Sequence, residues 1–186
     1  MFCSSFVTTS WRAVFFIILA ALILFPAVAD ASKGASISAQ DVNGHSVMLN
    51  GPGHCTVVMY TNPDLEDASR KVTKALDSYR SRSDFSLVRV VDLRGGVPPQ
   101  MRGIVKMEIR KEQAKETARL KKAGVDGGDQ APIIPDFNGS LLDALGWDSI
   151  YDQVHLVVYD RQGREIKRLE KVSDPRQVTR VVESIL

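Results

Sequence analysis

The stretch from Cys55 to Ala75 constrains the fold more than any other part of the chain, because it reads as a buried strand running straight into a helix. Val57 to Tyr60 is a short run of β-branched, apolar and aromatic residues, the pattern of a strand covered on both faces. Thr61, Asn62 and Pro63 end it. Asn62 suits a helix N-cap and Pro63 a first helical position, and Leu65, Ala68, Val72, Leu76 and Tyr79 follow at steps of three and four along one helical face. The same junction carries three acids, Asp64, Glu66 and Asp67, and no cysteine.

Elements on either side extend the pattern. Ile37 to Asp41 and His45 to Leu49 flank Val42-Asn43-Gly44, a hairpin signal. Phe85 to Val91 reads as a second strand, so that strand, helix and strand form a right-handed parallel unit. A long charged helix is expected from near Pro99 to Gly124, inside an insertion spanning about residues 97–130, with Gly127-Gly128 as a loop beyond it. Ala131 to Pro135 is a candidate short strand, and Ser140 is expected to cap a short helix, Leu141 to Leu145, stopped by Gly146. His155 to Tyr159, the turn Asp160 to Gly163 and Arg164 to Leu169 form a closing hairpin. Ser173-Asp174-Pro175 introduces a final helix with Val178, Val181, Val182 and Ile185 on one face.

Residues 1–29 read as a secretory signal rather than as part of the fold. Ala13 to Phe25 is almost unbroken apolar sequence, shorter than the roughly 20 residues of a spanning helix, and Ala27-Val28-Ala29 supplies small residues for cleavage before Asp30. The expected product is periplasmic or secreted, with residues 30–35 as a flexible N-terminus; the alternative is an uncleaved membrane anchor. Residues 36–186 then form one domain, long enough to bury on the order of 70% of the surface without metal or disulfide support. A formal charge of +2 with 44% apolar residues gives no global attraction to nucleic acid. Of the two cysteines, Cys3 lies in the signal and Cys55 stands alone, which excludes an internal disulfide and a self-contained dithiol mechanism.

Three local patterns, taken in order, carry a resemblance. Asp41-Val42-Asn43-Gly44-His45-Ser46-Val47 resembles the opening hairpin of the redoxin branch of thioredoxin-like proteins, Leu156 to Glu165 resembles its last hairpin, and Asp136-Phe137-Asn138-Gly139 with Ala144-Leu145-Gly146 resembles the segment between. The resemblance implies an α/β thioredoxin-like mixed sheet flanked by helices, preceded by an N-terminal hairpin and carrying a helical insertion. Within that fold the chain is similar in character to the small periplasmic proteins of the YtfJ type, exported and also without a redox pair.

Departures from the family pattern decide the function. The resemblance places Leu65-Glu66-Asp67-Ala68 where a Cys-x-x-Cys pair would stand, and Val154 where a cis-proline would stand; a cis bond before a residue other than proline costs about 3 kcal/mol, so a trans bond is expected. The degenerate site comprises Asn62, Pro63, Asp64, Leu65, Glu66, Asp67 and Val154. Its acids stabilise a helix start by roughly 0.3–1 kcal/mol each and cancel the positive potential that a thiolate would use. The function expected is therefore non-catalytic binding of a protein or peptide in the cell envelope, with no cofactor and no metal site. The alternative is a single-cysteine thiol redox enzyme using Cys55, with His54 as base. Against it, Cys55 stands at the far end of its strand, about 20 Å from the corner. A site built from His54, Cys55 and His155 fails because antiparallel strands put His155 at the opposite end. Arg102, Lys106 and Arg110, at steps of four on the insertion helix beside a stripe of Met101, Ile104, Val105 and Ile109, form a second candidate surface for an acidic partner or weak contact with a membrane surface. Glu108, Glu112 and Glu116 offer these bases partners within the helix.

Overall fold

Every residue of the central strand is buried, as its run of β-branched and aromatic side chains requires. The computed structural model describes residues 36–125, 131–148, 152–172 and 174–186; the expected signal segment, residues 30–35, the Gly127-Gly128 loop and Ser173 lie outside them. The strands are β1 (Ser38–Gln40), β2 (Ser46–Met48), β3 (Cys55–Thr61), β4 (Phe85–Asp92), β5 (Ile133–Asp136), β6 (His155–Tyr159) and β7 (Glu165–Leu169). The helices are α1 (Glu66–Ala75), α2 (Arg102–Lys122), α3 (Ser140–Ala144) and α4 (Arg176–Glu183). β3 to β7 form one sheet in the order β5-β4-β3-β6-β7. β3, β4 and β5 run parallel, and β6 and β7 antiparallel to their neighbours.

Each face of the sheet has its own core. On one, Val57, Met59, Leu87 and Leu156 meet Val72 and Leu76 from α1 and its C-terminal end and Val178 and Val182 of α4, with Leu65, Ala68 and Tyr79 packed at the margin. The helical face read from the sequence is thus the one that is buried. On the other face, Val58, Tyr60, Val88 and Val157 meet Leu141, Leu142 and Trp147. Full burial of side chains of this size is worth about 1.5–3 kcal/mol each, so β3, buried at every residue and feeding both cores, is costly to disturb. The β1–β2 hairpin packs Ile37, Ala39 and Val47 against this second core and is tied to β5 by Val42 N–H donating to Ile133 O at 2.9 Å. Its connection is a three-residue loop rather than a two-residue one. Asp41 Oδ1 accepts from the Asn43 and His45 amides, and Gly44 supplies the left-handed residue, with φ 87°.

One local expectation is corrected. Ser140 is the first residue of α3 and does not cap it; Gly139, at φ 81°, occupies the cap position with no side chain to use. The capping oxygens come from Asp136, buried at the end of β5: Oδ1 accepts from Gly139 N–H, and Oδ2 from Leu141 N–H, Leu142 N–H and the Tyr60 hydroxyl. A buried carboxylate holding four donors is a stronger cap than an exposed serine, and it joins β3, β5 and α3.

Candidate functional site

The strand-to-helix corner forms as its residues dictate. Asn62 is extended, and its Oδ1 accepts from Leu65 N–H at 3.0 Å, with Pro63 at the first position of a 3₁₀ turn, Pro63–Leu65, that continues into α1. Asp64, Glu66 and Asp67 are all exposed. Glu66 pairs with Arg70, and Asp67 approaches the same guanidinium at 3.5 Å. Three acids in one solvated environment give no separation into proton donor and acceptor, which general acid–base work needs. Val154 is buried beside the start of β6, and no peptide bond among the described residues is cis.

Cys55 lies at the opposite end of β3, paired with Phe85 and fully buried in the α1-side core. Burial first, and then the Asp84 carboxylate, push its thiol up to about 11. His155 pairs with Tyr60, at the corner end, so it and Cys55 are separated by the length of the strand. The His155 ring meets the edge of Trp147 at 5.4 Å, and burial lowers its pKa. Among the described residues no group of three or more His, Cys, Asp or Glu side chains stands together as a metal site would require.

The basic row on α2 turns towards the body of the domain. Arg102 and Lys106 lie over the Phe137 ring, 5.0 and 6.0 Å from its centroid, and Arg110 Nε donates to Val42 O at 2.9 Å. Further along α2, Glu116 and Arg119 make a clamp: Glu116 accepts from Arg80 at 2.9 Å and from Arg119 at 2.8 Å, and Arg119 pairs with Asp77 at 2.8 Å. These two arginines hold Glu116 down at a pKa of about 2. The other two glutamates pair within the helix, Lys111 with Glu108 and Lys115 with Glu112.

Between the corner and α2 opens a cleft of about 620 Å³. Asn62, Pro63 and Glu66 form one rim and Ile104, Val105 and Ile109 the other, while Arg89 and Val91 of β4 form the floor. Of the apolar stripe, Ile104, Val105 and Ile109 are therefore a cleft wall and Met101 is not among the lining residues; Ile104 remains half exposed. Arg89 is the residue that the sequence reading missed. It follows Phe85 and Leu87 on the α1 side of β4, where a core side chain would be expected. Its Nε and Nη2 atoms are buried without an acceptor, and burial lowers its pKa. The signal was present in Phe85-Ser86-Leu87-Val88-Arg89-Val90-Val91: a cation at an inward position of a covered strand.

No family model and no curated protein sequence matches the chain. Solved structures do. A thioredoxin-like protein from Aeropyrum pernix aligns with a TM-score of 0.56 at 16% identity, covering 94% of this chain and 98% of that one. The exposed lipoprotein thioredoxin Etrx1 of Streptococcus pneumoniae gives 0.55 at 15%, over 81% and 99%. A thiol:disulfide interchange protein of the thioredoxin family from Chlorobium tepidum gives 0.51 at 13%, over 81% and 92%. At these identities the likeness is one of fold: the chain has a thioredoxin-like α/β fold, with a mixed five-stranded sheet and an N-terminal two-stranded hairpin.

Proposed function

We propose that the protein is an exported, non-catalytic thioredoxin-like module that binds a protein or peptide partner in the cell envelope, in the manner expected of a YtfJ-type protein. The observation that carries this reading is the corner itself. Where the fold can present a thiolate, this chain presents Asn62 to Asp67 with three solvated acids, and Cys55 is sealed at the far end of β3. Export rests on residues 1–29 alone, with cleavage near Ala29. The cleft beside the corner is the binding surface in this reading, ahead of Arg102, Lys106 and Arg110, because Arg110 bonds Val42 O and the other two lie over the Phe137 ring, outside the cleft lining.

The single-cysteine redox alternative makes a separable prediction. A thiol raised from 9.0 to about 11 has a thiolate fraction near neutral pH about 100-fold below that of an ordinary cysteine, before burial slows access further. Alkylation of Cys55 in the folded protein is therefore expected to be slower than in denaturant by at least that factor, and Cys55→Ser is expected to bind its partner as the parent does. Rapid reaction of the native protein with peroxide would overturn the non-catalytic reading.

A further inference from the structure

We propose that the cleft captures the C-terminal carboxylate of a peptide with apolar last residues, with the Arg89 guanidinium as its acceptor-seeking floor. The inference rests on the binding reading above and names the chemistry that the cleft recognises. A guanidinium presents five N–H donors in a planar fork that matches a carboxylate. In Arg89, Nε and Nη2 are buried with no acceptor, whereas buried donors are otherwise almost always satisfied. The acids that could have neutralised it face it from α2 but are committed elsewhere: Glu116 to Arg80 and Arg119, Glu112 to Lys115. Through space Glu116 attracts the Arg89 charge, Arg80 opposes it and Glu112 attracts it, but none of the three supplies an acceptor to Nε or Nη2. The two open donors of this cation thus call for one incoming acceptor at the bottom of the cleft, and a charged one bonds a guanidinium most strongly.

The walls say what carries that anion. Ile104, Val105 and Ile109 on α2 and Val91 on β4 provide an apolar side, suited to the last side chains of a peptide. The corner side is lined by Asn62, Ser69 and Thr73; the two hydroxyls donate to carbonyls within α1, and each oxygen keeps a lone pair that suits a peptide N–H better than an alkyl chain. A volume of about 620 Å³ falls within the range of roughly 300–1,000 Å³ that holds small ligands. The site therefore takes a chain end and leaves the body of the partner outside.

The test uses a pool of N-acetylated tetrapeptides ending in Val, Leu, Ile, Phe or Met, as free acids and as C-terminal amides, with decanoate as a third probe, followed by backbone NMR shifts and calorimetry. The free acids are expected to bind at least about tenfold more tightly than the amides, the margin of one charged hydrogen-bonded contact, with shifts centred on β4 and the first half of α2. Arg89→Met is expected to reduce the acids to the level of the amides while keeping the circular dichroism spectrum, and Arg89→Lys to restore part of the difference. Equal binding of acids and amides, or binding indifferent to Arg89→Met, overturns the carboxylate inference. If that binding is nevertheless abolished by Ile109→Lys, the cleft-binding reading stands without it. Decanoate binding more tightly than every peptide acid, with the same dependence on Arg89, overturns the peptide in favour of a free aliphatic acid. Absence of binding by all three probes overturns the proposal.

Discussion

Glu116→Ala tests how the insertion helix is held to the domain. The Arg80 side chain is only 4% exposed, its Nη1 donates to Glu116 at 2.9 Å, and the next carboxylate, Asp77, is 3.9 Å away. A second nitrogen, Nη2, is buried without an acceptor. Removing Glu116 therefore strands a buried cation, a change that costs about 3–5 kcal/mol. A second route gives a similar figure. The Glu116 pKa falls from its usual 4.5 to about 2, through its bond with Arg119 first and then through Arg80, and at about 1.36 kcal/mol per pH unit this is about 3 kcal/mol of preferential stabilisation of the charged form by the whole clamp.

The sign follows from the direction of that change. Because the folded-state value is depressed, the contribution is complete above 4.5 and is lost as pH falls through about 2. Urea denaturation of parent and variant, followed by far-ultraviolet circular dichroism, is expected to show a deficit of about 3 kcal/mol at neutral pH, shrinking to under half by about pH 3. The double replacement Arg80→Met with Glu116→Leu removes both charges together and is expected to recover most of the loss. A deficit below about 1 kcal/mol at neutral pH, or one of constant size on acidification, would refute the view that this pair is a buried clamp.

Two further perturbations probe the frame of the fold. Gly163→Ala is expected to cost at least about 2 kcal/mol in the same urea assay, since Gly163 sits at φ 77° and an added Cβ would lie 2.3 Å from Asn50 O; a neutral result would show that the β6–β7 turn and the loop before β3 move apart easily. Asp136→Ala removes the acceptor of Tyr60 and of three amides at the start of α3, with an expected cost of about 3 kcal/mol and faster hydrogen exchange at Leu141 and Leu142, and unchanged exchange there would rule out Asp136 as the cap.

Legibility in the sequence followed the range of the interactions. The strand and helix around Asn62-Pro63 were readable because period, cap and proline all act within a few residues, and the structure has the Asn62 cap where it was expected. The Asp41 and Asp160 turns were readable for the same reason. Ser140 misled because its type and position fit a local cap, whereas the actual acceptor, Asp136, is set by a strand end and also serves Tyr60, 76 residues away in sequence. The Arg80–Glu116 pair spans 36 residues and depends on where α2 settles, which no local pattern encodes. The row of Arg102, Lys106 and Arg110 was correctly seen as one face, but which way that face turns is a packing outcome, decided here by Phe137 and the hairpin turn at Val42.

The insertion and Arg89 are best understood as one device. In the row Phe85, Leu87, Arg89 and Val91, the first two side chains are covered, whereas Arg89 and Val91 floor the cleft beneath α2. On a sheet lacking that helix, the outer part of the Arg89 guanidinium would meet water, and water would satisfy it at little cost. With α2 beside it, Ile104, Val105 and Ile109 lining the cleft and the Arg80–Glu116–Arg119 clamp further along, Arg89 is half-buried and its Nε and Nη2 are left without an acceptor. Nitrogens left so oppose folding by the energy of their lost hydration, and the proposed anion would regain part of it. The corner, with its solvated acids, offers no comparable gain to any ligand. In the proposed binding mode, recognition is therefore displaced from the helix N-terminus, where thioredoxin-like folds place a thiolate, to the flank of the sheet that the insertion covers.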